Sequence, residues 1–563
     1  MTCSFFWLYC FVPLLFGYGF AASFLSTHDQ PYRTRFHFQP PRNWMNAPLI
    51  YKGVYHLFYQ YNPKGVTWGN IVWAHSTSTD LVNWKPHSPI IHPSRPFDIN
   101  GCWSGSATIL ATGRPAILYT GLDPRNRQVQ NLAFPVNLSD PYLTEWAKSP
   151  HNPVIFPTLA SHINETAFRD PSTAWMGPDK QWRVVVGSLR NQRGLALHFT
   201  SRDFMNWTQS KNPLHSVEGN GMWECPDFFP VSKNSTIGLD TSTPSGQNVK
   251  HVLKVSLDDT KKDYYTIGRY NIAEGKYVPD KGSVQNDSGL RYDYGKFYAS
   301  KSFFDSEKKR RVLWGWVNES STETDNKRKG WSGLQAIPRT LWIDKSRKQL
   351  IQWPIREIEK LRTKKVKLPS TVLKGGSVHE IIGVTAAQAD VQVTFGISDF
   401  QKAQVLDPSW TDPQILCRKK GASVEGGLGP FGLLVLASKG LQEYTAVFFR
   451  IFKAHNHKYN NKYLVLMCSD QSRSSLNNEK GLDKITYGVF LKLDPLHETL
   501  ALRSLIDHSI IESFGGGGKA CITARVYPLL AVDADACIYA FNYGNESVQI
   551  KGNAWNLRTA MIK

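Results

Sequence analysis

The sequence predicts an all-β chain in two parts, a five-bladed β-propeller followed by a β-sandwich, and three observations predict it. Strand-like apolar runs recur at near-constant spacing through the first 355 residues. Helical periodicity is scarce. Beyond residue 370 apolar residues alternate along strands separated by glycine-marked turns.

The chain opens with an apolar run, Ser4 to Phe20, that ends at the small-residue site Gly19-Phe20-Ala21-Ala22-Ser23. This predicts a signal peptide over residues 1–22. The run is short for a membrane span, has no basic flank, and is followed by no longer apolar segment. A secreted protein with no membrane partner is therefore expected. Seven Asn-X-Ser/Thr sequons follow, at Asn137, Asn164, Asn206, Asn234, Asn286, Asn318 and Asn545, and read as glycosylation sites.

The propeller is expected over 31–355. Its core runs begin at His56, Ala116, Trp182, His251 and Arg311, at steps of 60, 66, 69 and 60 residues. Turn signals such as Asp123-Pro124, Asn152-Pro153 and Asn212-Pro213 fall between them. Each repeat has room for about four short strands, the unit of a propeller blade. An array of β-sandwiches would explain the strands but not the spacing. The one helical candidate, Pro354 to Thr363, leads into a linker set at 356–369. Runs such as Val391-Gln392-Val393-Thr394-Phe395, with turns at Gly426-Gly427 and Gly515 to Gly518, predict a sandwich over 370–563.

Lys plus Arg exceed Asp plus Glu by 20. That favours a polyanionic partner, and in a secreted protein an acidic cell-wall polysaccharide. Nucleic acid is set aside, because no recognition motif accompanies the charge. The short basic runs Lys308 to Arg311 and Lys364 to Lys367 read as solvated faces. Eight cysteines, two of them in the signal segment, show no CxxC spacing, so no metal and no cofactor is expected.

The stretch from Pro40 to Ser76 sets aromatic rings beside neutral amides, a pairing suited to a neutral polyhydroxylated ligand such as a sugar. No Asp or Glu occurs between Asp29 and Asp80. Carboxylates appear further on. Arg169-Asp170 sets a guanidinium beside a carboxylate at a turn, where Arg169 would hold Asp170 ionised. Glu224 lies among aromatics beside Cys225-Pro226, where partial burial would raise its pKa as a general acid requires. A glycosidase needs two such carboxylates flanking the scissile bond.

Taken together, Trp44-Met45-Asn46, Phe58 to Pro63, Trp103 to Thr108, Phe168-Arg169-Asp170-Pro171 and Trp223-Glu224-Cys225-Pro226-Asp227 resemble glycoside hydrolase family 32. The likeness is to plant cell-wall invertases and their relatives the fructan exohydrolases, and it extends from about Pro31 to the C-terminus. It includes Asp507-His508-Ser509-Ile510-Ile511-Glu512-Ser513-Phe514, similar to the family's sandwich signature. The family fold is a five-bladed propeller plus a β-sandwich. Pro226 is similar to wall-type enzymes, where vacuolar ones usually carry Val, which implies an apoplast or cell-wall location.

The resemblance implies roles. Glu224 matches the acid/base and Asp170 the transition-state stabiliser. Arg169, Asn46 and Gln60 match the fructose site, Trp44, Trp68 and Trp103 its aromatic wall, and Ser104 the same patch. Asp258 with Lys261 three positions on fits a spacing associated with invertases, with Asp259 as the alternative counterpart. Cys417 and Cys468 match the sandwich disulfide. The implied substrates are sucrose or other β-fructosides, and a proteinaceous inhibitor is a candidate partner.

One departure is serious. The family's first motif reads Trp-Met-Asn-Asp-Pro-Asn before a small residue and Pro, and its Asp is the nucleophile. Here Asn46 passes directly to Ala47-Pro48. Without a nucleophile the covalent fructosyl-enzyme cannot form by the retaining route. A clean loss of three residues is what a skipped very small exon, or a gene reading that missed one, would leave. The expectations are thus a secreted β-fructofuranosidase hydrolysing sucrose, impaired as written, with a fructan exohydrolase or a non-catalytic sugar-binding protein as alternatives.

Overall fold

The computed structural model describes residues 30–46, 49–454 and 462–562. The expected signal peptide, residues Ala47 and Pro48, and the side chain of Asn46 lie outside them. Strand makes up 48% of the chain and helix 5%, which places it in the all-β class.

Five separate antiparallel sheets stand in chain order through the first part, and each is one blade. The innermost strands are Asn43–Asn46, Gly101–Ile109, Phe168–Arg169, Trp223–Ser232 and Phe297–Asp305. The sequence repeat has a plain structural cause. His56, Ala116, Trp182, His251 and Arg311 all lie in the second strand of their blades, Val54–Asn62, Pro115–Leu122, Trp182–Arg190, Val249–Leu257 and Arg310–Val317. Those strands are buried on both faces between neighbouring blades, so they read as continuous apolar runs.

The ring is closed across its ends. Trp331–Ser332, supplied after the fifth blade's second strand, pairs in parallel with Asn43–Asn46 of the first, with Asn43 opposite Trp331 and Trp44 opposite Ser332. The chain leaves the propeller after Leu350–Pro354 through a short 3-10 helix, Arg356–Leu361. The segment expected as a linker is therefore structured. From Arg362 onward it is already sandwich, because Arg362–Leu373 pairs with Val548–Leu557 and the Arg362 guanidinium bonds Asp390 at 2.9 Å. The sandwich packs a six-stranded sheet on a seven-stranded one. Along Gln388–Ile397, Val391, Val393 and Phe395 enter the shared core while Gln392 and Thr394 are only part-buried. A disulfide joins Cys417 on the helix Pro413–Lys419 to Cys468 on Tyr463–Asp470.

The two domains are clamped by buried charge. Asp507 accepts hydrogen bonds from the backbone N–H groups of Arg35, Phe36 and His37 and from His37 Nδ1 at 2.7–2.9 Å. On the other side of the ring, His37 Nε2 lies 2.9 Å from Glu512, which also accepts from Ile337 N and Arg339. Asp293 accepts from Arg339 and Thr523. Gly518 closes the same junction: at φ 93° a Cβ there would lie 2.1 Å from the Gln352 carbonyl, so only glycine fits. The Asp507–Phe514 signature thus works at the domain interface.

Burial alone would lower the His37 pKa, but its two carboxylate partners outweigh it and hold the imidazole protonated above its ordinary value of 6.5. A raised histidine contributes stability that is complete below that ordinary value and is lost as pH rises through the folded value. Replacing His37 with Gln should cost roughly 3–5 kcal/mol at pH 6, because it removes the cation shared by two buried carboxylates. It should also flatten the decline in stability on the alkaline side. Denaturant midpoints of the two proteins from pH 6 to 9 check this; parallel pH profiles would refute it.

Candidate active site

Each of the five blades sends its innermost strand to one pocket of about 840 Å³ at the propeller mouth. In chain order these strands deliver Trp44, Trp103 with Ser104, Arg169 with Asp170, Glu224, and Tyr298. Gln60, Trp68, Asp258 and Lys261 join them from neighbouring strands and turns. Trp68 and Trp103 meet edge to face with ring centres 5.3 Å apart, and Trp68 is 56% exposed, forming an aromatic rim. Trp44 is buried and packs edge to face against Trp316, 5.6 Å away. On the Asn43–Asn46 strand, Asn46 pairs with Gln60 in backbone register.

Two backbone turns aim the acidic groups. Asp170 and Cys225 both have positive φ, 67° and 45°, which non-glycine residues adopt only where the surroundings enforce it. Thr120 Oγ1 accepts from Asp170 N at 2.9 Å, and Cys225 N donates to Asp170 Oδ2 at 3.0 Å. Beneath the turns two buried lysines tie the loops together. Lys301 donates to the carbonyls of Pro171 and Pro226, and Lys254 to that of Cys225.

Arg169 is the electrostatic hub. Its Nε donates to Glu224 Oε1 at 2.9 Å and a terminal nitrogen to Asp258 Oδ2 at 3.0 Å. Arg169, expected to act on its neighbour Asp170, makes its hydrogen bonds elsewhere. The positive-φ turn sends the Asp170 carboxylate to the Cys225 amide, and the guanidinium bridges Glu224 and Asp258 instead. Burial opposes the charge on Arg169, yet Glu224, Asp170 and Asp258 together raise its pKa. Glu224 also accepts from the Tyr298 hydroxyl. Burial pushes its carboxyl above the ordinary value of 4.5, Arg169 pulls it back, and the charges of Asp170 and Asp258 raise it. Asp258 is held on its other oxygen by Lys261, whereas Asp259 packs against Gly221, away from the pocket.

Tyr298, Trp316 and Gln128 also line the pocket, and the sequence offered no motif for them. Tyr298 precedes a bulge in an otherwise ordinary aromatic strand, so only its register identifies it. Among the described residues the pocket's carboxylates are Asp170, Glu224 and Asp258, and no group of three or more His, Cys, Asp or Glu is placed to hold a metal.

A carboxyl group of raised pKa beside further carboxylates and an aromatic rim, in a five-bladed propeller, defines the class of glycoside-cleaving enzymes. The family models agree. The chain belongs to glycosyl hydrolases family 32: the N-terminal domain model matches residues 37–354 and the C-terminal one 357–556. It is 62% identical over 541 residues to an insoluble β-fructofuranosidase isoenzyme of Arabidopsis thaliana, covering 95% of this chain and 92% of that protein. A fructan 6-exohydrolase of Beta vulgaris is 60% identical over 541 residues, with coverage of 95% and 88%. The crystal structure of fructan 1-exohydrolase IIa from Cichorium intybus superposes with a TM-score of 0.90 at 52% identity, covering 94% of this chain and 98% of that one.

Since Arg169 is what draws the Glu224 pKa down, replacing Arg169 with Gln should move the titration of Glu224 to higher pH. Infrared difference titration against a Glu224→Gln reference reads that group directly, and an unchanged or lower midpoint would contradict the assignment.

Proposed function

We propose that the chain is a β-fructofuranosidase of the sucrose-cleaving type in which the acid/base and the stabiliser are assembled and the nucleophile is missing. The observation that carries this reading is the carboxyl set itself. Glu224 has a raised pKa, Asp170 is fixed by two hydrogen bonds, and Asp258 is neutralised by Arg169 and Lys261. None of the three lies on the Asn43–Asn46 side of the pocket.

In this reading a β-fructoside enters with its fructosyl ring against Trp44 and the amides of Asn46 and Gln60, and its leaving group toward Trp68 and Trp103. Protonated Glu224 gives its proton to the glycosidic oxygen as the bond to the anomeric carbon breaks. Asp170 accepts hydrogen bonds from ring hydroxyls, which strengthen as positive charge develops. In the retaining route a carboxylate on the opposite face forms the new bond to the anomeric carbon. Water, giving its proton to Glu224, then displaces that carboxylate and releases fructose. The Asp missing between Asn46 and Ala47 is that carboxylate. Related proteins support the substrate class: the Cichorium intybus exohydrolase has been solved with 1-kestose bound.

The location is part of the same reading. The similar Pisum sativum protein is called a cell wall isozyme, and the +20 charge favours retention by acidic wall polysaccharide. All seven sequon asparagines are exposed, as glycosylation of a secreted protein requires.

Two outcomes test the reading. A version with Asp-Pro-Asn inserted after Asn46 should hydrolyse sucrose about three or more orders of magnitude faster than the chain as written; comparable turnover would overturn it. In that restored enzyme Asp258, held by Arg169 and Lys261, would accept further hydrogen bonds from glucose hydroxyls. Asp258→Ala should then lower kcat/KM for sucrose more than for inulin-type or levan-type fructans. An unchanged preference, or a restored parent that already prefers fructans, would favour the exohydrolase reading instead.

A further inference from the structure

A second cleft runs along the junction of the two domains and adjoins the pocket of the carboxyl groups, with Arg291 and Tyr294 lining both. Its larger chamber, about 1390 Å³, lies between the turn of the fifth blade's outer hairpin and the sandwich. A neighbouring chamber of about 1000 Å³ shares Arg347, Lys348, Phe490 and Lys492 with it. The pair forms one elongated groove.

Its charges are not balanced. The carboxylates that line it are each occupied within the protein. Asp280 pairs with Lys250 and Glu498 with Lys519. Asp344 accepts from Ser346 and from Lys348 N, Asp412 caps the helix Pro413–Lys419, and Asp494 accepts from Leu496 N and His497. The cations are otherwise placed. Lys345, Arg347 and Lys348 stand on the hairpin wall, Lys492 faces them from the sandwich, and Lys233 and Lys281 stand toward the ends. Among the described residues none of these six makes an ion pair; Arg347 donates to the side chain of Asn234 at 2.8 Å. The crowding is felt. Burial lowers the pKa of Lys492, Asp344 opposes that, and the positive charge of Lys348 lowers it further.

The half-buried rings of Trp342, on the hairpin side, and Phe490, on the sandwich side, line the groove beside these cations. Flat rings take the C–H face of a sugar ring, and flanking cations select carboxylated sugars over neutral ones. A single small anion would not fill a groove of this length.

We propose that this interdomain groove binds an extended acidic polysaccharide of the polyuronate class. The proposal rests on the reading that the protein is held by acidic wall polymer, and it gives that attachment a site. Asp170, Glu224 and Asp258 do not line the groove, so attachment uses charges other than those of the β-fructoside pocket.

The test compares Lys345→Gln/Arg347→Gln/Lys348→Gln with a control of equal charge change on an exposed sandwich strand, Lys364→Gln/Lys365→Gln/Lys367→Gln. Binding to oligogalacturonate and elution by salt from immobilised polygalacturonate are measured, with Asn234→Gln run in parallel so that a glycan at that end is accounted for. The groove triple should lose affinity about tenfold or more and the control less than about threefold, as expected for local contacts over diffuse attraction. Trp342→Ala should weaken oligogalacturonate but leave polyglutamate unchanged. Equal losses from both triples would overturn the groove while leaving charge retention standing. A parent protein that polygalacturonate does not retain would overturn the retention itself. Polyglutamate competing as well, charge for charge, would overturn the saccharide assignment.

Discussion

The pocket depends on how one four-residue strand is held. Asn43–Asn46 is the innermost strand of the first blade, and it gains a second partner only because Trp331–Ser332 crosses back to close the ring. The chain leading into it is fixed by three successive amides, Arg35 to His37, on the Asp507 carboxylate. Asp507 belongs to the sandwich. The geometry of the propeller mouth is therefore set partly from the other domain, through a protonated imidazole between two buried acids. A clamp of this kind contributes less net stability than its count of ionic contacts suggests, because desolvation offsets most of the attraction. What it contributes is a unique docking angle, since slippage would leave buried charge unpaired.

The same economy of charge governs the pocket. One guanidinium serves Glu224 and Asp258, so the proton affinity of Glu224 is set by burial against one shared cation. Asp170 acts on that cation only through space, because its positive-φ turn gives its carboxylate a backbone amide as hydrogen-bond partner. Burial and the neighbouring acidic charges thus favour a protonated Glu224, the state a general acid requires.

Much of this was legible in the sequence, for identifiable reasons. The blade repeat could be read because each second strand is buried on both faces and is a continuous apolar run at a fixed interval. Glu224 and Asp170 stood out because Cys225-Pro226 and Arg169 surround them with informative neighbours. Tyr298 and the lysines beneath the turns were not legible. Their roles come from register and from carbonyls 75 and 130 residues away in the chain, which no local pattern encodes. The function of Asp507 and Glu512 was hidden likewise, since a sandwich motif cannot show that its partner is His37. The linker was misplaced because Arg362–Leu373 is an exposed edge strand rich in lysine, which reads as solvated chain.

Register also bears on the missing carboxylate. Asn46 lies opposite Gln60 and Leu49 opposite His56, all along the one strand Val54–Asn62. Four chain steps separate Gln60 from His56, about 13 Å at the usual strand rise, while only three separate Asn46 from Leu49, which reach at most about 11 Å. Both flanks keep their partners in the ladder. Three further residues would give six steps for the same span, and the excess must leave the ladder as a bulge. Bulges of that kind recur beside active sites because they turn a side chain out of the strand's ordinary alternation. The proposed nucleophile would therefore be carried by a segment that stands outside the ladder. Without it the ladder keeps its register on both flanks, and Asp170, Glu224 and Asp258 still line one pocket.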